Sequence, residues 1–481
     1  MVRHAVVAVL IAALPVPAAA QIHAPTDDAR REYLAGLQYE AQRDLDAARR
    51  SYEQAVRHDP SLAVALDRLG YVYGLQGRTV EAIAEFERAA AADPTLFDAF
   101  YHLGATLWWT GATDRALEPL RTAVGLRPDH AEARYYLGLS LKKRGEVLPA
   151  LEQFEESVRL NGSIPASALQ LGMALQAAGD LGGAIDALRR AVALDPSSRH
   201  ARNALGLALL QRGDGDAAAE TFRALLSAEP DFHPARLNLG TTLMQRGDLQ
   251  GAVDVLRELV VRDPGNAEAH HNLGVALKQQ DDFKGAEVAL RRASELSHTL
   301  ADAPFTLGVV LWQTSRSVEA VDAFREAIRR RPEYDEAHYM LGTVLRQLGD
   351  PAAALTEFRE AIRLQPTSAE AHLALGQLLQ QHGDPSAAAA AFEEARRLNQ
   401  KKADVQASTF ALGVGRAQVK DGDIAGAITH FERAVGLAPD NFEAHYELAK
   451  ALTSLGRRDA AATHLAEARR LAPHVRFTDP R

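Results

Sequence analysis

Five histidines are the first side chains in this sequence whose type and spacing could do chemistry. They are His270, His271, His338, His372 and His445, and all but His271 share one place in a 34-residue period. If each period is a pair of helices, equivalent atoms lie on the order of 10 Å apart, whereas metal ligands must come within about 2 Å of one ion. Adjacent histidines on a helix also point in different directions. We therefore expect structural roles for these side chains and no metal site.

Other motifs that carry chemistry are incomplete in this sequence. It has no Gly-x-x-x-x-Gly-Lys run for phosphate binding, and the Gly-Val-Gly at 413–415 lacks the third glycine of a dinucleotide fingerprint. The Gly-Asp-Gly-Asp at 213–216 lacks the closing glutamate of a calcium loop. The glycosylation sequon at 161–163 is better explained as a tight turn. The absence of cysteine excludes disulfides and thiol catalysis, so we predict no catalytic residue and no cofactor.

The spacing of Leu-Gly pairs indicates the elements that position these side chains. Every pair follows the last by 34 residues, with the glycines at Gly70, Gly104, Gly138, Gly172, Gly206, Gly240, Gly274, Gly308, Gly342 and Gly376. The register extends back to Gly36 and, after five extra residues at 403–407, forward to Gly415 and Ala449. Thirteen units therefore fill most of the chain, which is typical of a repeat solenoid rather than of several globular domains.

The residue types at fixed positions of the unit predict two closely packed antiparallel helices. When the glycine is numbered position 8, position 20 is always alanine, position 24 is Phe, Tyr or Leu, and position 32 is usually proline. Small residues at 8 and 20 allow the helices to approach, while leucine at 7 and the large residue at 24 fill the space between them. Proline ends the second helix, and glycine at position 15, as in Gly77, caps the first.

This pattern resembles the tetratricopeptide repeat family, whose unit carries Leu-Gly, a central alanine, an aromatic residue and a terminal proline. We identify the chain as an exported bacterial member. The resemblance implies an all-α fold, a right-handed α-solenoid superhelix of about thirteen 34-residue helix-turn-helix repeats. The expected divisions are a signal peptide at 1–20, a short linker at 21–28, repeats 1–11 at 29–402, an insertion at 403–407, repeats 12–13 at 408–475 and a tail at 476–481.

Three junctions between repeats lack the terminal proline, at 161–163, 297–301 and 399–407. These are the segments where a local bend or hinge is expected, unless the sequence has simply drifted at a surface turn. We favour drift for the first two junctions and a real irregularity for the third, which carries the insertion.

Aromatic and basic residues mark the first candidate binding zone. In the family, the first helix of each repeat lines a concave groove, and the resemblance implies that positions 2, 5, 9, 12 and 13 point into it. In repeats 2–4 these positions include Tyr71, Tyr101, Trp108, Trp109, Tyr135, Lys142 and Lys143. Because adjacent residues of a helix point about 100° apart, the two tryptophans cannot both face the core. We expect at least one to be exposed as an anchor for a protein partner.

Glutamine at position 13 of six consecutive repeats marks the second zone. The residues are Gln211, Gln245, Gln279, Gln313, Gln347 and Gln381. Glutamine both donates and accepts hydrogen bonds, so a row of them could bind the backbone of an extended peptide without selecting its sequence. Duplication of a soluble helix surface would give the same pattern, and the sequence leaves both explanations open.

The first twenty residues have the form of an export signal. Arg3 and His4 precede a short apolar run, and alanines at 18 and 20 offer the small residues after which signal peptidase cleaves, leaving Gln21 first. The run is too short to cross a bilayer, and no other stretch approaches its length. We expect a periplasmic or secreted protein with no membrane span.

Charge narrows the class of partner. The chain has 54 Lys and Arg against 63 Asp and Glu, a net charge of −9, which disfavours nucleic acid. We predict a non-enzymatic scaffold that binds a protein or an extended peptide, as a monomer or with weak self-association through its ends. Two alternatives stay open: a self-assembling structural subunit of an envelope complex, and an enzyme with an unrecognised active site in the groove.

Overall fold

The computed structural model describes residues 26–473 together with 475 and 477, and these residues form 25 α-helices and no β-strand. Two compact units divide the chain, Met1–Ala204 and Leu205–Arg481. The predicted signal peptide and most of the linker after it lie outside the described residues. No helix among the described residues is both long and apolar enough to cross a membrane.

The N-terminal unit contains ten complete helices. They are α1 (Asp27–Ala41), α2 (Leu45–His58), α3 (Ala63–Leu75), α4 (Thr79–Ala92), α5 (Phe97–Trp109), α6 (Thr113–Leu126), α7 (Ala131–Lys143), α8 (Val147–Leu160), α9 (Pro165–Ala177) and α10 (Leu181–Leu194). The boundary between the units falls inside α11 (Arg199–Arg212).

The C-terminal unit contains the remaining helices. They are α12 (Gly215–Ala228), α13 (His233–Gln245), α14 (Leu249–Arg262), α15 (Ala267–Gln279), α16 (Phe283–Leu296), α17 (Asp302–Gln313), α18 (Ser317–Arg330), α19 (Asp335–Gln347), α20 (Pro351–Leu364), α21 (Ala369–Gln381), α22 (Pro385–Lys420), α23 (Ile424–Leu437), α24 (Phe442–Ser454) and α25 (Arg458–Leu471). The all-α fold predicted from the sequence is confirmed.

The turn inside each repeat has the same left-handed backbone at position 15. Ten repeats place glycine there, with φ between 73° and 94°, and the other three place Arg43, Asp281 and Ser315 there with φ of 61° to 62°. A residue in this conformation ends a helix by satisfying its last carbonyl groups. All thirteen predicted helix-turn-helix repeats are therefore present.

The close helix crossing at position 8 is also confirmed. A Cβ atom built on the glycine would lie only 2.4–2.8 Å from the large side chain at position 24 of the same repeat, for example 2.7 Å from Leu256 Cγ at Gly240. Such distances are well inside van der Waals contact. In these twelve repeats the absence of a Cβ atom lets the two helices pack at this separation, whereas repeat 13 has Ala449 at the same position.

The junction between repeats 11 and 12 differs from the others. The second helix of repeat 11 and the first helix of repeat 12 form one uninterrupted helix, the 36-residue α22. The irregularity predicted at 399–407 is thus a fused helix rather than a bend, because these residues include neither proline nor glycine to stop it. The other two junctions, at 161–163 and 297–301, are short turns between helices.

Candidate partner-binding surface

The first helices of successive repeats pack side by side within each unit. In the N-terminal unit α3 contacts α5 and α5 contacts α7, and in the C-terminal unit the same holds from α13 through α21. Residues at one repeat position therefore fall in a row along neighbouring first helices. We call this surface the first-helix face.

The two adjacent tryptophans of α5 have different environments. Trp108 is partly buried, whereas Trp109 is 40% exposed, so the expectation that one indole stays accessible is met. The two rings meet edge to face, with centroids 5.0 Å apart. The indole N–H of Trp109 donates a hydrogen bond to the hydroxyl of Tyr136, at 3.1 Å. Trp109 is thus both exposed and held in place.

Tyr101 is the one aromatic candidate that the sequence placed wrongly. It is only 5% exposed, stacked on Phe97 with centroids 5.6 Å apart and covered by His130 at 4.9 Å. Burial raises the pKa of Tyr101. The large rings of Phe97 and His130, at the two ends of the same repeat, close over position 5, so Tyr101 contributes packing rather than contact surface.

The other candidates of this zone are accessible in part. Tyr71 and Tyr135 are half-buried, and burial raises the pKa of each to about 12. Lys142 and Lys143 are exposed at the end of α7. The Lys142 ammonium donates to the side-chain oxygen of Gln170 on α9, at 2.9 Å, and partial loss of water around the ammonium lowers its pKa. Lys142 therefore also joins two neighbouring first helices.

All six glutamines at position 13 are exposed at the C-terminal ends of first helices. One of them, Gln347, accepts a hydrogen bond from the indole N–H of Trp312, at 2.8 Å. Trp312 is partly buried at position 12 of repeat 9, the same position as Trp108 in repeat 3. The sequence reasoning overlooked Trp312, although its repeat position was a signal that could have identified it.

The histidines at position 4 share one structural role. Their Nε2 atoms lie 3.0–3.2 Å from the carbonyl oxygen of the proline six residues earlier, in the bonds His270–Pro264, His338–Pro332, His372–Pro366 and His445–Pro439. Arg134 and Arg236 donate to Pro128 and Pro230 from the same position. Within the described residues no three His, Asp, Glu or Cys side chains are arranged to hold a metal. In these six repeats, position 4 therefore ties the first helix to the turn before it.

A buried polar cluster links the first helices of repeats 1–3. His102 Nδ1 lies 2.8 Å from the Asp67 carboxylate, and both side chains are buried. Burial lowers the pKa of His102, but the charge and hydrogen bond of Asp67 outweigh it, so the pKa is raised. Arg68 and the hydroxyl of Tyr52 both donate to Glu40. Sequence reasoning missed this cluster because each of its bonds joins residues at different repeat positions.

Family models of the tetratricopeptide repeat match residues 33–96, 103–164, 166–198 and 418–477. The chain is a tetratricopeptide repeat protein. A model described as the C-terminal domain of cilia and flagella-associated protein 70 matches residues 200–412. No curated protein sequence matches the chain. Proteins of this repeat family act as scaffolds for protein interaction, and the chain belongs to that class.

Solved structures are similar over different shares of this tetratricopeptide repeat protein. The crystal structure of MamA is 26% identical, covering 34% of this chain and 96% of that chain, with a TM-score of 0.33. The pilF protein of Pseudomonas aeruginosa is 23% identical, covering 42% and 91%, with a TM-score of 0.39. The Cut9–Hcn1 hetero-tetramer structure is 16% identical, covering 92% and 94%, with a TM-score of 0.34.

Proposed function

We propose that this protein is a non-enzymatic scaffold of the periplasm or cell envelope that binds a protein partner on its first-helix face. The observation that carries the proposal is Trp109, an exposed indole whose N–H is already fixed by the Tyr136 hydroxyl. A held aromatic side chain loses little conformational freedom when a partner covers it. Large aromatic side chains of this kind dominate the binding energy of protein interfaces.

The position-13 glutamines supply a second, weaker zone in the proposal. A glutamine amide can both donate and accept a hydrogen bond, and a hydrogen bond to a partner backbone contributes only about 0.5–1.5 kcal/mol net. Successive glutamines recur at a constant sequence interval, so an extended peptide could bind in more than one register. The aromatic zone would then provide affinity, and the glutamine zone would allow peptides of different sequence to bind.

Export and the absence of catalysis are parts of the proposal that rest on the sequence. We propose cleavage after Ala20, so that the mature chain begins at Gln21. N-terminal sequencing of the chain recovered from an osmotic-shock fraction tests this. Recovery of the intact Met1 form from the cytoplasm alone would contradict the location.

The binding proposal is tested by Trp109→Ala. Immobilised mature protein captures partners from an envelope extract, and the affinity of the purified partner is then measured for the wild type and the variant. Loss of a central aromatic anchor is expected to weaken binding tenfold or more, which is about 1.4 kcal/mol. Val288→Ala, which truncates a 72% exposed side chain on α16, is the matched control and should leave affinity unchanged. Equal affinity of all three proteins would contradict the proposal.

A further inference from the structure

The middle of helix α22 is exposed to solvent on nearly all sides. Residues 399–406 are exposed apart from Asp404, which is half-buried. Downstream of this segment a separate core cluster begins at Ala411 and Leu412 and includes residues of α23, α24 and α25. The fused helix therefore joins two packed blocks, repeats up to 11 and repeats 12–13, through an exposed bridge.

Repeat 11 ends with the same sequence as repeat 13. Its residues Glu394–Leu398 have the sequence Glu-Ala-Arg-Arg-Leu, identical to residues 467–471 of repeat 13. Position 28 is arginine in these two repeats alone, Arg396 and Arg469, whereas every other repeat places an apolar residue or serine there. A charged residue suits a face that meets water rather than a following helix.

Repeat 12 differs from repeat 1 at two positions of its first helix. Repeat 1 carries the polar Arg31 and Gln38 at positions 3 and 10, both exposed. Repeat 12 carries Phe410 and Ala417 at the same positions, and Phe410 is 76% exposed. Every other repeat has a small residue at position 3, no more than 1% exposed: Ala65, Ala99, Ala133, Ser167, Ala201, Ala235, Ala269, Ala303, Ala337, Ala371 and Ala444.

Phe410 and Ala417 belong to an apolar seam along α22. The seam residues are Ala403, Ala407, Phe410, Val414 and Ala417, separated by steps of four and three residues. Alternating steps of this kind place side chains on one stripe of a helix, as in the a and d positions of a coiled coil. All five are exposed or half-buried. The seam thus has the spacing of a helix-pairing surface, and no helix among the described residues covers it.

We infer that the seam pairs with the same seam of a second copy of this chain. Alongside the seam, the free flank carries Gln406 and Gly413, both uncharged and exposed, and its charged residue Lys420 lies beyond the last seam residue, Ala417. In helix pairs, charged flanking residues select a partner, and like charges oppose pairing of identical helices. Because the free flank has no charged residue between Ala403 and Ala417, it permits a symmetric contact between identical seams. Added Cβ atoms at Gly413 would meet nothing within 4 Å, so this glycine leaves room beside the seam for the Phe410 ring of the other copy.

Packing of repeat 12 against repeat 11 of the same chain is a less favourable way to cover the seam. Bending α22 at 399–407 would bring repeat 12 against repeat 11, as at the other junctions. That contact would bury the charged Arg396 and would place Phe410 where all other packed junctions hold alanine or serine. Overpacking and burial of a charge without a partner both oppose this arrangement. A second copy avoids both costs, because it meets the seam rather than the end of repeat 11.

The inference is tested by the molecular mass of the mature protein in solution between about 1 µM and 1 mM, a range that covers weak association. We expect a concentration-dependent dimer, because a contact of about four helical turns is smaller than a standard interface of about 1,600 Å². Phe410→Arg, which gives repeat 12 the residue of repeat 1, should weaken dimerisation at least tenfold. Val405→Arg is the control, since Val405 is 40% exposed on the same helix but lies about 140° from Phe410. A monomer throughout, or equal dimerisation of both variants, would overturn the inference.

Cross-linking locates the contact, because the chain contains no cysteine. A Phe410→Cys variant should be joined into covalent dimers by a short bismaleimide, whereas a Val405→Cys variant should not. The reverse result would place the contact on another face of α22 and would overturn the inference. Circular dichroism of each variant should match the wild type, since both side chains are exposed. The trial is independent of the Trp109 test, which concerns the other unit of the chain.

Discussion

At the scale of single residues, position 4 explains most of the histidines that first suggested chemistry. Four of them bond a proline carbonyl through Nε2, so in the neutral ring Nδ1 is left to accept a hydrogen bond. His445 fits this arrangement, with its Nδ1 3.0 Å from Nδ1 of His464. His338 does not, because its Nδ1 lies 2.6 Å from the Glu357 carboxylate, which can only accept. His338 therefore bonds both partners best when it is protonated.

This geometry predicts a pH dependence of stability at repeat 10. Burial lowers the pKa of His338, but the hydrogen bonds to Glu357 and the Pro332 carbonyl outweigh it, so the folded pKa is raised. A histidine whose pKa is raised by folding stabilises the folded state fully at pH values below its unfolded pKa, about 6.5. That stabilisation is lost as the pH rises through the folded pKa. The free energy of unfolding of the wild type should exceed that of His338→Gln by on the order of 1 kcal/mol at pH 5.5 and by less at pH 8.5. Urea unfolding of both proteins at the two pH values measures this difference in free energy. A difference that does not change with pH would contradict the hydrogen bond between protonated His338 and Glu357.

At the scale of elements, the turn inside each repeat depends on one left-handed residue. Glycine adopts this backbone without cost, whereas another residue is strained by roughly 1–2 kcal/mol. Ser315, with φ of 62°, therefore carries strain that Gly247, with φ of 78°, does not.

Exchanging residues at these two turns should have opposite effects. Ser315→Gly should raise the stability of repeat 9 by up to about 1 kcal/mol, after the greater chain entropy of glycine is subtracted. Gly247→Ala should lower the stability of repeat 7 by about 1–2 kcal/mol. An added Cβ at Gly247 meets no atom within 4 Å, so the cost comes from backbone strain and not from a steric clash. Hydrogen exchange in the flanking helices measures both, and changes of the same sign would contradict this account.

At the scale of the whole molecule, a repeat array should lose stability locally. Ala286, at position 20 of repeat 8, is fully buried at a helix crossing. Ala286→Leu should overpack that crossing and cost about 1–3 kcal/mol. Because each repeat contacts only its neighbours, hydrogen-exchange protection should fall in repeats 7–9. Val288→Leu on the same helix is the control, since Val288 is 72% exposed. Equal loss of protection in distant repeats would argue against a linear array.

The repeat architecture was predictable from the sequence because its signals are local and recur thirteen times. The glycine at position 8 and the alanine at position 20 are each required by a contact inside one repeat, such as that between Gly240 and Leu256. A rule that holds within 34 residues can be read from spacing alone. The helix pairs, their turns and the packed crossing all followed from it.

The features that the sequence did not reveal depend on contacts beyond one repeat position. Tyr101 was expected at the surface, but the rings of Phe97 and His130 cover it. The Asp67–His102 pair joins two repeats through residues at different positions. The fused helix α22 was expected as an irregular junction, and its form depends on the absence of any helix-stopping residue in the insertion.

The central claim is that partners bind the first-helix face, and hydrogen exchange with and without a bound partner tests it most directly. Partner binding should protect amides of α5 and α7, which surround Trp109 and Tyr136, while their second helices α6 and α8 stay unchanged. In the Trp109→Ala protein this protection should be reduced at equal partner concentration. Protection confined to α6 and α8, with α5 and α7 unaffected, would contradict the claim.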